Sequence, residues 1–560
     1  MFNLLIGGAA GQGIETMASV LQKFLKDSGL YVFTTRDIMS RIRGGHNFTL
    51  LRIDVKPVFS HSTNIDGIIA FDKDTVMLHK EQLKESGFIL CDSQWELDDK
   101  RCISLDMTAL SKKLGNSRVI GSIATGTVLK LFGRTPVNID ETLKKYINEP
   151  YREMNKAALL QGYELVDARY SLPESNPQER IIISGNQAVA YGAIAAGIRF
   201  YSAYPMSPST TILEYLASKS EEANIVVEQA EDEIAAINMA IGASFAGVPS
   251  MTGTSGGGFC LKVEALGLSG MAEIPIVVAD IQRPGPSTGF PTRTEQSDLK
   301  FVISASHGEF PRMVIALRNH QDAFYQTARA FYLARKYQIP VILLSDQYLA
   351  DTSATIEPYD LTNLTATINM DMDTDMGMDE GEYLRYRLTE DGISPLLIPG
   401  QSRNFVESDS DEHDEAGHIT EDAEIRNRMM EKRLGKLIKL KEELMEPEFF
   451  GEELFDILFL GWGSTYGPIM EAVRTLNQES SKKYAALIFG DVYPLPERLL
   501  KEKAQQADHI INIEQNATGQ LAELIREKTG IECSGSILKY DGRQLSGDEI
   551  VDRIRKGERE

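Results

Sequence analysis

Cysteine, histidine and tryptophan are scarce, with four, eight and two in 560 residues. The thiols (Cys91, Cys102, Cys260 and Cys533) are scattered and form no C-x-x-C pair. That excludes a disulfide framework and an iron–sulfur cluster held in any usual spacing. Long apolar runs are also missing, and no stretch approaches the ~20 residues needed to span a bilayer. The N-terminus has no basic leader and passes from an apolar run straight into a glycine-rich turn, so it reads as a strand rather than a signal peptide. Positive charge is in deficit. Lys and Arg total 58 against 81 Asp and Glu, a formal net charge of −23. Such a field repels phosphate and argues against nucleic-acid or anionic-membrane partners. A cytoplasmic protein is expected.

What remains has the balance of a globular protein, with 42% hydrophobic and 25% charged residues. At ~150 residues per domain, the length suggests three or four domains. Three blocks separate, each alternating apolar runs with helical stretches, which predicts an α/β fold throughout. The first spans 1–172, and its apolar runs at 2–6, 65–71 and 88–91 predict a mainly parallel sheet. A polar, proline-bearing linker follows. The second block spans 181–445. Its runs at 225–227, 274–279 and 341–344 give way after about 351 to an acidic excursion and a charged helix candidate at 423–445. The third spans 446–560, with runs at 457–460, 485–489 and 510–513 and a charged tail from 552 that is expected to fray.

Several segments carry residue types that chemistry needs. Gly8-Ala9-Ala10-Gly11-Gln12-Gly13 lies between the first strand and a helix, where backbone N–H groups and the positive dipole end favour an anion. Its spacing is not G-x-G-x-x-G, and Thr34-Thr35-Arg36 stands where a ribose-binding acid would be. A tight packing turn, or a site for another phosphate-bearing group, is expected rather than a dinucleotide site. Arg41-Ile42-Arg43-Gly44-Gly45 puts two guanidinium groups and bare backbone on one loop, with a solvated loop as the simpler reading. Tyr204-Pro205-Met206-Ser207-Pro208-Ser209-Thr210 is a proline-stiffened loop with hydroxyls at a helix start, which reads either as a rigid cap or as a ligand loop.

Glu231-Asp232-Glu233 opens a helix with an apolar stripe of Ile234, Ile237, Ile241 and Phe245. At ~100° per residue the two glutamates fall on opposite borders of that stripe. They either complement the helix dipole or provide a desolvated carboxyl for acid–base work, and the helical wheel does not choose between them. Thr254-Ser255-Gly256-Gly257-Gly258 lets a ligand touch bare backbone. Arg283 follows an apolar strand, at the edge where α/β sheets bind ligands, and its guanidinium suits a carboxylate. His413 and His418 lie in an acidic stretch read as a solvated loop, and no metal site is expected on this chain.

In order along the chain, YPMSPST (204–210), AEDEIAAINMAIGASFAG (230–247), TSGGGF (254–259), QRPGPSTGFPTR (282–293) and HGEFPR (307–312) resemble the 2-oxoacid:ferredoxin oxidoreductases. LTEDGISP (388–395), EHDEAGH (412–418), GWGST (461–465) and IEQNATGQL (513–521) add to the likeness. It is specifically to the alpha subunit with its gamma domain fused at the N-terminus. The resemblance implies a gamma domain, a thiamine-pyrimidine-type domain and a transketolase C-terminal-like domain. It implies thiamine diphosphate-dependent decarboxylation of a 2-oxoacid, transfer of the acyl group to coenzyme A, and electrons to ferredoxin. The AEDEIAAI form and the fusion point toward 2-oxoglutarate, with pyruvate or a branched-chain 2-oxoacid as alternatives.

By the same resemblance Glu233, or else Glu231, would meet the coenzyme's aminopyrimidine. Ser207 would present a hydroxyl where the family more often has Thr. Arg283 and Thr292, with Tyr204, Pro205, Ser209 and Thr210, would hold the 2-oxoacid, and Thr254 and Ser255 would face the coenzyme. Gly11, Gly13, Arg43, Gly44 and Gly45 would lie toward the coenzyme A nucleotide. The chain has no G-D-G…N segment for Mg²⁺ and diphosphate and no cluster cysteines; in the family the Mg²⁺ site and the 4Fe–4S cluster reside on a beta subunit, through which ferredoxin is reached. A dimer of alpha–beta heterodimers is expected. The rivals are a nicotinamide- or flavin-dependent dehydrogenase and a non-catalytic docking subunit.

Overall fold

The computed structural model describes residues 1–38, 45–172, 178–362, 364, 383–401 and 403–557. Among them are three β-sheets with helices packed on them, an α/β architecture. The chain divides into two compact units. One comprises Met1–Ser184, Asp351–Pro358 and Ser546–Glu549; the other comprises Gly185–Ala350, Tyr359–Leu545 and Ile550–Glu560.

The first unit is built on an eight-stranded sheet. Its spatial order is Cys102–Leu105, Leu83–Asp92, Ile65–Ala70, Phe2–Ala9, His46–Asp54, Tyr31–Asp37, Ser353–Ile356 and Ile181–Ser184. The first four run parallel, and every later pairing is antiparallel. The sheet is therefore mixed, not mainly parallel as expected. Tyr31–Asp37 and His46–Asp54 follow each other along the chain and pair directly, which only an antiparallel arrangement permits across a short connection. The last two strands in this order, Ser353–Ile356 and Ile181–Ser184, come from residues that the sequence places in the second block. Helix Ile14–Asp27 buries Met17, Leu21, Phe24 and Leu25 against this sheet's core.

The second unit holds two sheets. The seven-stranded one has the spatial order Asp491–Tyr493, Met313–Ala316, Pro340–Asp346, Ile276–Gln282, Ser250–Thr254, Phe200–Ala203 and Val226–Gln229; only the first of these is antiparallel to its neighbour. The five-stranded one runs Glu448–Gly451, Tyr484–Phe489, Ile457–Trp462, His509–Glu514 and Gly535–Leu538, with only Glu448–Gly451 antiparallel. Buried side chains of both sheets, among them Val278, Ile342, Leu460 and Phe489, belong to one continuous apolar cluster.

The acidic stretch is a tied knot rather than a solvated loop. His413 is buried, stacks on Tyr386 and meets the Asp411 carbonyl through Nδ1 (2.9 Å), while Asp414 accepts N–H bonds from Ala416, Gly417 and His418. Its Glu412 pairs with Arg433 of helix Ala423–Glu442. Nor are residues 552–556 a frayed tail: helix Gly547–Lys556 continues through them, with Ile550, Val551 and Ile554 buried. Among the described residues no helix is long and apolar enough to cross a membrane, and no group of three or more His, Cys, Asp or Glu is arranged to hold a metal ion.

Candidate active site

Four of the motif loops leave the carboxyl ends of four neighbouring parallel strands. Residues 230–232 follow Val226–Gln229, 204–210 follow Phe200–Ala203, 255–258 follow Ser250–Thr254, and 283–297 follow Ile276–Gln282. The chain leaves Phe200–Ala203 toward one side of the sheet and then returns to add Ser250–Thr254 on the other. That makes a topological switch point, where such sheets open a crevice.

Asp232 caps the helix Glu233–Phe245, its Oδ1 accepting the Ala235 N–H at 2.7 Å. The helix thus begins at Glu233, and Glu231 lies before it, exposed. The buried face is also rotated from the expected stripe. Ile234, expected on the inner face, is 48% exposed, and the buried face is Glu233, Ala236, Ile237, Ala240, Ile241 and Ser244. Glu233 sits on that face rather than at its border and is 4% exposed. Its Oε1 is buried and has no hydrogen-bond partner. Gly258 lies directly against it, because a Cβ there would overlap Glu233 Oε1 and Thr254 Oγ1. The glycine is required by space, not by conformation.

Arg283 Nη1 donates to the Ser207 carbonyl at 2.8 Å, so the structure brings those two together. Partial burial pulls the guanidinium pKa down. Ser207 and Tyr204 are exposed, while Pro205, Thr210 and Thr292 are half-buried. Ser209 is different: it is buried and its hydroxyl donates to the Met206 carbonyl at 2.8 Å, within its own turn. Thr254 and Ser255 are both buried, and Ser255 Oγ has no partner.

Three charged neighbours escape the sequence reading. Lys262 is fully buried, with Nζ donating to the Glu233 carbonyl (3.1 Å) and to Thr252 Oγ1 (3.0 Å). Burial pushes its pKa down to about 8 against the pull of Glu233 and Asp232. Asp280, buried with both carboxyl oxygens unpartnered, is held well above the usual carboxylate range by burial and by Asp298. Asp298 is itself pushed up to about 7 by burial and by Glu295. For Asp280 the signal in the sequence is an aspartate inside a strand of valine and isoleucine; Lys262 carries none.

In the first unit Gly11 and Gly13 both have positive φ (92° and 80°), and Gly13 precedes helix Ile14–Asp27. Gln12 ties the turn, accepting the Ala9 N–H (2.7 Å) and donating to the Phe71 carbonyl (3.3 Å). Gly45 is exposed with φ 81°. Arg43 and Gly44 lie outside the described residues.

Two family models match the chain. "Pyruvate ferredoxin/flavodoxin oxidoreductase" covers residues 3–165, and "Pyruvate flavodoxin/ferredoxin oxidoreductase, thiamine diP-bdg" covers 191–432. A 2-oxoacid:ferredoxin oxidoreductase subunit alpha from Sulfolobus is 34% identical over 99% of this chain and 96% of its own. The chain belongs to this alpha-subunit family. It is a subunit of a 2-oxoacid:ferredoxin oxidoreductase and carries the thiamine diphosphate-binding domain of that family. The 2-oxoglutarate oxidoreductase subunit KorA of Mycobacterium tuberculosis is 33% identical over 81% of this chain and 70% of its own. Among solved structures, a 2-oxoglutarate:ferredoxin oxidoreductase from Magnetococcus marinus with 2-oxoglutarate, coenzyme A and succinyl-CoA bound superposes with a TM-score of 0.92. It is 30% identical to this alpha subunit and covers 99% of each chain.

Proposed function

We propose that this alpha subunit contributes half of the thiamine pocket of a 2-oxoglutarate:ferredoxin oxidoreductase, which oxidises 2-oxoglutarate and coenzyme A to succinyl-CoA and CO2 and passes electrons to ferredoxin. The observation that carries the reading is the Glu233 carboxyl, hidden from water at a switch-point crevice with Oε1 unpartnered and only a glycine beside it. A buried acceptor without a donor costs about 1–3 kcal/mol, so a ligand donor is expected there. The coenzyme, when bound, would supply the nucleophile and the electron sink that decarboxylation of a 2-oxoacid requires. Glu233 would meet the ring nitrogen of its aminopyrimidine and hold the proton there, with Lys262 fixing the first helical turn through the Glu233 carbonyl. Glu231 is not needed in this arrangement.

Arg283 and Thr292 would hold the substrate carboxylate, and the bond to the Ser207 carbonyl orients the guanidinium before substrate arrives. Thr254 and Ser255 would face the coenzyme, and Ser207 Oγ the substrate. Residues 1–172, with Gly11, Gly13, Arg43, Gly44 and Gly45, would take the coenzyme A nucleotide; 181–445 form the pyrimidine-binding domain and 446–560 the transketolase C-terminal-like domain. Mg²⁺, the 4Fe–4S cluster and the route to ferredoxin belong to a beta subunit, in a dimer of alpha–beta heterodimers in the cytoplasm. The 2-oxoglutarate choice rests on the KorA relatives and the Magnetococcus enzyme. Assaying the chain with and without its beta partner, against 2-oxoglutarate, pyruvate and branched-chain 2-oxoacids, tests it. Turnover by the lone chain, or preference for another 2-oxoacid, would refute it.

A further inference from the structure

The five-stranded sheet has a crevice of its own, and a side chain of this subunit fills it. Ile457–Trp462 is flanked by the next strand of that sheet, Tyr484–Phe489, on one side and by His509–Glu514 on the other, so its switch point lies between the ends at Trp462 and Glu514. In an open α/β sheet that is where a ligand would bind. Here Gln296, with 0% exposure, occupies it. Its Nε2 donates to the Trp462 carbonyl (2.9 Å) and its Oε1 accepts the Gln515 N–H (3.3 Å). Its own N–H donates to the Gln515 carbonyl (2.7 Å), and its carbonyl accepts from Asn516 Nδ2 (3.0 Å). Gly463 has a φ of 54°, and a Cβ there would stand 3.0 Å from Gln296 Nε2, so the socket is shaped closely around the amide.

The socket is itself braced. Trp462 Nε1 and Asn516 Nδ2 donate to Glu514 Oε2, while Asn512 Nδ2 and the Leu521 N–H donate to Oε1. Gln296 ends the loop that starts at Arg283 and contains Thr292. At the loop's neck Gln282 accepts the Asp298 N–H (2.9 Å) and donates to the Ser345 carbonyl (2.9 Å). On the returning limb Thr294 donates its N–H to the Gly542 carbonyl (3.1 Å), and Gln520 Nε2 donates to the Ser297 carbonyl (2.7 Å).

We infer that Gln296 is a positioning residue: held in the switch-point crevice of the third sheet, it sets where the Arg283–Thr292 loop meets the 2-oxoacid. This rests on the carboxylate-binding reading of that loop. The test uses the alpha–beta complex carrying the near-isosteric Gln296→Met, with Gln296→Ala as a second variant, and 2-oxoglutarate and coenzyme A as probes. KM for 2-oxoglutarate should rise about tenfold, with kcat and the KM for coenzyme A changed less than about threefold. Amide hydrogen exchange should quicken across 284–295 and stay unchanged across 250–262. In the unmodified complex the Thr294 and Gln296 amides should exchange as slowly as strand His509–Glu514, whatever the variants do. Fast exchange at those two amides, or a KM for both substrates that moves in step with lost thermal stability, overturns the inference. If the unmodified complex turns over no 2-oxoacid while the exchange pattern holds, the substrate reading fails and the socket stands.

Discussion

Glu233 and Glu273 are almost equally hidden from water, yet they are left in opposite states. Glu273, 1% exposed, has its carboxylate between Lys432 (2.5 Å) and Lys436, and its carbonyl accepts from Arg385 Nη2 (2.8 Å). Burial alone would raise its pKa, but the two lysines outweigh it and hold the carboxyl well below the usual range. Its backbone adopts a positive φ of 51°, so even the conformational cost is accepted to keep the pair in place. Glu233, at the start of its helix, keeps a buried oxygen with no partner. One carboxylate is saturated by its own chain and ties down the charged helix; the other awaits a donor from outside it. Saturation of the lone pairs, more than depth of burial, separates the structural acid from the candidate catalytic one.

That contrast breaks if the two respond alike to the same isosteric change. Glu233→Gln keeps the shape and removes the charge that would hold the coenzyme's ring proton. Turnover of the alpha–beta complex should fall by about a thousandfold with the thermal midpoint nearly unchanged. A variant retaining more than about a tenth of normal turnover would leave Glu233 without the proposed role. Glu273→Gln strands Lys432 and Lys436 in the interior. It should destabilise the second unit by about 3–5 kcal/mol, read as a lower urea midpoint, while turnover per folded molecule is kept.

How much of this contrast the amino-acid order discloses depends on the range of the interactions. Strand ends, the four motif loops and Arg283 are local patterns, and the loops leave the carboxyl ends of neighbouring strands. Asp232 caps the helix and leaves Glu231 before it, while the buried face runs through Glu233 and leaves Ile234 exposed, a rotation that spacing alone does not disclose. Lys262, Asp280 and the Gln296 socket are joined by contacts between residues far apart in the chain, for which no spacing rule exists. Strands Ser353–Ile356 and Ile181–Ser184 join the first unit's sheet for the same reason, since pairing with a remote sheet leaves no mark on either segment.

A third acid sharpens the comparison through pH. Asp298 stands near Asp280, is pushed up to about 7 and has no lysine to answer it. A carboxyl raised from 3.8 in the unfolded chain to about 7 in the folded one binds its proton more tightly when folded. Its stabilising contribution is complete below pH 4 and is lost as pH rises through about 7. Against Asp298→Asn, the thermal midpoint of the unmodified protein should therefore fall progressively between about pH 4 and 7. Glu273 carries the opposite sign, its contribution being lost only as pH falls below the usual carboxylate range.

The smallest effect belongs to the acid that the helical wheel could not separate from Glu233. Glu231 is exposed, precedes the helix and leaves the cap to Asp232, so its charge interacts with the crevice only through water, where the effective dielectric is high. Glu231→Gln should change turnover by less than about twofold and stability by less than about 0.5 kcal/mol. A loss approaching that of Glu233→Gln, in kcat without a change in the thermal midpoint, would mean that a donor reaches the rim of the helix rather than its buried face. The distinction between saturated and unsaturated carboxylates would then no longer locate the chemistry.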